Sequence, residues 1–175
     1  MTTTSSLRKV IIMVMCVAMM LCVMASTASA VTTDQDIDVK FYKTSDPTQF
    51  SMANGIVAGT AFYDIGTQEL TIPLQVLAYA PGAPYDPTVY YGYIDEIKVD
   101  TDNNLLNGYE VIVAPASTPY PSGGTIAIPL ASSLVTNGAT FTVSFGIDLY
   151  DDADGTDPAA ISHINNTAIM KFDFV

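Results

Sequence analysis

From Asp36 to Phe174 the apolar residues recur at every second position, and Gly, Pro, Asn and Asp break the pattern roughly every ten residues. A period of two matches the alternating faces of a β-strand rather than the 3.6-residue turn of a helix. It predicts strands over Asp36–Tyr42, Gly59–Tyr63, Glu69–Ala78, Val89–Val99, Tyr109–Val113, Gly124–Pro129, Ala139–Tyr150 and Ala159–Phe174. Expected joints are Pro81-Gly82-Ala83-Pro84, Pro119-Tyr120-Pro121-Ser122-Gly123-Gly124 and Asp154-Gly155. Short helical turns are expected at Phe50–Asn54 and at Ala131–Leu134, the second opened by Pro129. No ten-residue stretch carries an apolar face at helical spacing, so the expected fold is all-β, an Ig-like antiparallel sandwich.

The last two strands read as a hairpin with defined faces. Phe141, Val143, Phe145, Ile147 and Leu149 share one side of the first. Ile164, Ala168, Met170, Phe172 and Phe174 share the even-numbered side of the second, and Asn166 interrupts that side. Tyr91 and Tyr93 alternate onto one face of their strand and Tyr90 onto the other, with core or cross-strand packing expected. Tyr85 and Tyr120 stand beside prolines in loops, where they are candidate interface anchors.

The first thirty residues carry a different pattern. Arg8-Lys9, an unbroken apolar run Val10–Met24 and Ala28-Ser29-Ala30 have the layout of a signal peptide cleaved after Ala30. That run is shorter than the ~20 residues a membrane-spanning helix needs. A single secreted domain over residues 31–175 is therefore expected, with no membrane span after cleavage. Cys16 and Cys22, the two cysteines of the chain, lie in the leader, so a disulfide or thiolate metal site is not expected in the domain. Cleavage also removes two of the six Lys and Arg and none of the eighteen Asp and Glu. So acidic a domain lacks the basic stripe that nucleic-acid binding requires.

Several landmarks occur in a definite order: a first strand, then Ser51-Met52-Ala53-Asn54, then Leu70-Thr71-Ile72-Pro73-Leu74-Gln75-Val76. Tyr90-Tyr91-Gly92-Tyr93-Ile94 follows, then Thr125–Ile128 and Phe141–Tyr150, and last a strand ending Met170-Lys171-Phe172. Over roughly 35–174 this order resembles the near-iron-transporter (NEAT) domain, a haem-binding module of Gram-positive bacterial surfaces. The resemblance implies that haem enters between the Ser51 turn, a lip, and the closing hairpin, with the lip serine on a propionate. In the family a Tyr-x-x-x-Tyr of the closing strand supplies the iron ligand and its hydrogen-bond partner. The aligned positions here read Asn166-Thr167-Ala168-Ile169-Met170, and both tyrosines are missing.

Thioether sulfur also ligates haem iron, and some members of the family use a lip methionine. The expectation is a site of Ser51, Met52, Asn166 and Met170, with Met52, Met170 or both on the iron and the ferrous state favoured. The implied role is haem relay with haem-donor or haem-acceptor proteins, at or near a cell surface. The alternative is a haem-free surface sandwich that binds a protein or glycan. Neither an acid/base pair nor a nucleophile constellation points to an enzyme.

Two further features bear on chemistry. His163, the single histidine, shares a solvated face with Asn165, Thr167 and Lys171, where a metal-ligand role competes with that of a polar surface residue. Asp151-Asp152-Ala153-Asp154-Gly155-Thr156-Asp157 spaces carboxylates as a Ca²⁺ loop does, yet lacks the closing Glu of an EF-hand. Asp100-Thr101-Asp102-Asn103-Asn104 is a shorter version of the same pattern, read as a turn.

Overall fold

The computed structural model describes residues 29–80, 88–116, 124–151 and 162–175. The leader through residue 28, the joints at 81–84 and 119–123, Tyr85, Tyr120 and Asp152–Asp157 lie outside the described residues. The strands are β1 (Gln35–Lys43), β2 (Ala61–Asp64), β3 (Glu69–Pro73), β4 (Leu77–Tyr79), β5 (Tyr90–Asp100), β6 (Val111–Val113), β7 (Thr125–Pro129), β8 (Thr140–Tyr150) and β9 (Ser162–Phe174). Two 3-10 turns, Met52–Ile56 and Ser132–Leu134, fall where short helices were expected. The expected strand Glu69–Ala78 is divided in two after Pro73. Among the described residues no helix is long and apolar enough to cross a membrane.

All strand pairs are antiparallel and follow the path β4-β5-β8-β9-β1-β2-β3-β7, with β6 added on β5. β3 and β4 are neighbours in the chain but six pairings apart in the sheet. Laid flat, six pairings would span about 29 Å, whereas the four peptide steps from Pro73 to Leu77 reach at most about 14 Å. The sheet therefore has to curl until its ends meet, and β6 lies against β7 where it does. The result is the all-β sandwich expected from the period-two pattern.

Inside the curl, Ile37, Val39 and Phe41 of β1 face Ala168, Met170 and Phe172 of β9 and the odd-numbered side chains of β8. Phe41 and Phe145 meet edge-to-face at 4.9 Å, and Phe141 packs on Phe172 at 5.3 Å. Tyr63 is fully buried, and its hydroxyl donates to the Leu130 carbonyl at 2.8 Å, which satisfies its one polar atom.

β5 does not keep one parity. Gly92 and Ile94 oppose Leu149 and Ile147, but beyond a bulge at Asp95 it is Ile97 and Val99 that oppose Phe145 and Val143. The extra residue moves the inward face from even to odd positions. Tyr91 and Tyr93 consequently share the other face, opposite Tyr150 and Asp148, and Tyr93 stacks edge-to-face on Tyr150 at 5.3 Å.

Met170 pairs with Phe41 on one side and Phe141 on the other and has no exposed surface. Met170→Ala is expected to lower stability by about 2–5 kcal/mol, while Met170→Leu, which conserves volume, costs less than about 1.5 kcal/mol. Denaturant unfolding of the two variants checks this.

Candidate functional site

The lip is built from Ser51 upward. Ser51 has extended backbone angles, caps the 3-10 turn, and accepts at Oγ from the Ala53 amide at 3.4 Å. Its own amide donates to the Phe41 carbonyl at 2.8 Å, and the Asn54 side chain accepts from the Phe41 amide at 3.0 Å. Both bonds pin the turn to the last residues of β1. Ala53 and Ile56 are fully buried beneath it and leave Met52 half-buried on the outer side.

Met52 and Ser51 border an open hollow of about 260 Å³ whose remaining walls are Lys43, Thr44, Ser45, Asn166 and Thr167. The structure thus brings Ser51, Met52 and Asn166 of the expected site together across the gap between lip and closing strand. Asn166 Oδ1 accepts from the Thr167 amide at 2.8 Å. Lys43 contributes a positive charge at the rim, with Nζ donating to Gln49 Oε1 at 2.9 Å. Met170 is not part of this wall. Its sulfur lies in the core, four residues further along β9 on the same inward side as Asn166.

On the outer face of β5, β8 and β9 a second constellation forms. His163 stands directly opposite Asp148, and its Nδ1 donates to Asp148 Oδ1 at 2.8 Å. Asp95, thrown out by the bulge, brings Oδ2 within 3.5 Å of the same nitrogen. Each of the three side chains offers one ligand atom within 4.8 Å of the others, a nitrogen-and-oxygen set of the kind that holds Zn²⁺ or Mn²⁺. Gly146 makes the approach possible, because a Cβ there would overlap Asp95 Oδ1 and lie 3.0 Å from His163 Cε1. Asp95, Asp148 and Gly146 were not singled out from the sequence. Gly146, set between Phe145 and Ile147 in a strand interior, was the available signal, since a glycine there marks a bulge or a close approach.

The charges in this group are interdependent. The Asp148 hydrogen bond holds the His163 imidazole above its usual pKa against the opposing effect of desolvation, and the charge on Asp95 adds to the rise. Burial, and then the charge on Asp148, pushes the Asp95 carboxyl up. A raised histidine pKa means that the pair stabilises the fold fully below the unfolded value of about 6.5 and loses that contribution as pH rises through the folded value. The difference in Tm between the native chain and His163→Gln should therefore be largest in mild acid and shrink in mild alkali. Asp148→Asn should lower the imidazole's titration midpoint in an NMR pH series, and Gly146→Ala, by displacing Asp95, should lower it less.

Comparison with protein-family models, with curated proteins and with solved structures finds no match.

Proposed function

We propose that the chain is a secreted, non-enzymatic haem-binding module whose ligand site is the hollow between the Ser51 lip and the closing strand β9. The observation that carries this reading is the meeting of Ser51 and Met52 with Asn166, residues far apart in the chain and on the two sides where the NEAT resemblance puts haem. Met52 offers a soft thioether that is half-buried and borders open space, which suits an axial ligand better than Met170 in the core. Ser51 and Lys43 supply a hydroxyl and a cation to the propionates, and Asn166 a side-chain amide. The hollow is smaller than the ~300–1,000 Å³ of sites that enclose a ligand, so haem would be held at one edge and remain open to a donor or acceptor protein.

A second reading is favoured by the burial of Met170 and by the amide at position 166: a sandwich of this kind that binds a protein or glycan without haem. A haem titration of the purified chain, followed by absorbance in ferric and ferrous states, separates the two. The haem reading expects a saturable one-to-one Soret change, stronger in the ferrous state, altered by Met52→Ala and unaffected by Met170→Leu. No change in either redox state would leave the haem-free reading.

A further inference from the structure

The β5–β6 hairpin holds a group of carboxylates that the haem reading does not use. Its ladder ends with Val99 opposite Val111, and the residues just beyond, Asp100 and Glu110, are two acids whose carboxylates lie close together. Like charges at such positions repel. The connecting loop then folds Asp102 back onto them, and one carboxylate oxygen of each of the three lies within 4.8 Å of the others. The Asn104 amide donates to Asp100 Oδ1 at 3.1 Å and to Asp102 Oδ1 at 2.9 Å, and the Thr101 amide donates to Glu110 Oε2 at 2.8 Å. Asn103 takes up the left-handed conformation, φ 57°, that lets the loop turn back.

Asp100 is only 1% exposed, and its Oδ2, like Oδ1 of Asp95, is buried without a hydrogen-bond partner among the described residues. A buried carboxylate oxygen left unpaired beside two more carboxylates is strongly disfavoured. The Asp95–Asp148–His163 group has a basic partner of its own in the imidazole, whereas no Lys, Arg or His among the described residues pairs with Asp100, Asp102 or Glu110.

We propose that Asp100, Asp102 and Glu110 form a Ca²⁺ site that clasps the open end of the β5–β6 hairpin. The donors are all oxygen and carry three formal negative charges, which selects a hard cation. Asp100 ends β5 while Asp102 and Glu110 lie outside the strands, an irregular arrangement that suits the loose coordination of Ca²⁺ better than the strict octahedron of Mg²⁺. The ion balances the Asp100–Glu110 repulsion and occupies the side of Asp100 that no donor reaches. The sequence carried half of this signal in Asp100-Thr101-Asp102-Asn103-Asn104; Glu110, the third ligand, is brought in by the pairing of β6 with β5.

Calorimetric titration of the chelator-treated full chain with CaCl₂ tests the proposal. It is expected to show one saturable site with Kd on the order of 10⁻⁴–10⁻³ M, the range of extracellular modules. Thermal unfolding in about 10 mM Ca²⁺ should give a Tm higher by about 2–8 °C, with a smaller rise in Mg²⁺. Asp102→Asn and Glu110→Gln alter exposed side chains and preserve the fold by circular dichroism, and each is expected to weaken binding about tenfold or more. Asp151→Asn, in the other acidic stretch, is expected to leave it unchanged. An absence of saturable heat in the native chain would overturn the proposal. So would an unchanged Kd in the Asp102→Asn/Glu110→Gln double variant.

Discussion

Leu74, Gln75 and Val76 carry the chain from β3, next to one end of the sheet, to β4 at the other, and the curl of the sandwich depends on that crossing. The link is held along its length. Ala58 N donates to the Pro73 carbonyl at 2.9 Å, Gln75 N to the Ile56 carbonyl at 2.7 Å, and Leu74 N to the Gly124 carbonyl at 2.7 Å. Two of these three partners flank or belong to the 3-10 turn that bears Met52. The lip is therefore fixed at its far end by the closure of the sheet and at its near end by Phe41 of β1. A Cβ on Gly55 would come within 2.9 Å of Leu77 Cδ1, which shows how tightly the turn packs on β4. The hollow beside Met52 is thus set by strand topology more than by the loop's own preferences, which is what a preorganised binding edge needs.

Charge is the second organising influence, because the chain carries far more acids than bases. On the outer face of β1 and β9, Asp38 lies opposite Asp173 and Lys40 opposite Lys171. The charges neutralise within and across the strands: Lys40 reaches Asp38 of its own strand at 2.8 Å and Asp173 of β9 at 3.3 Å, and Lys171 reaches Asp173 of its own strand at 2.8 Å. Such exposed pairs are screened by water and add little stability. Their larger effect is on what remains: these lysines serve their own neighbours and Lys98 of β5 is taken by Glu96 at 2.6 Å, so Asp95 and Asp100 must find balance elsewhere. His163 provides it at the bulge, while the hairpin end at Asp100 and Glu110 has no basic partner among the described residues.

The sandwich was legible in the sequence because burial on one face of each strand imposes a period of two. Phe141 to Leu149 and Ala168 to Phe172 read directly as inner faces. The division after Pro73 was not legible, because the apolar run continues into Val76 and only the pairing partners change. The bulge at Asp95 was hidden for a similar reason: one inserted residue reverses parity without altering composition. That Ser51, Met52 and Asn166 line one hollow was expected only through the resemblance to the NEAT order, since no local pattern joins them. The burial of Met170 followed from its even-numbered position on the inward face, whereas its exclusion from the hollow depends on how far along β9 the lip reaches. Asp148 opposite His163 and Glu110 close to Asp100 depend on how distant strands pair, which local sequence does not state.

The central claim is that Met52 at the lip, and not Met170 in the core, meets the ligand. Methyl-labelled methionine NMR of the ferrous haem complex reads both side chains at once, since a methyl on an axial sulfur lies within the ring current of the macrocycle. The account predicts a large displacement of the Met52 methyl resonance with Met170 unmoved. A displaced Met170 resonance, or two unmoved resonances with haem bound, would contradict it.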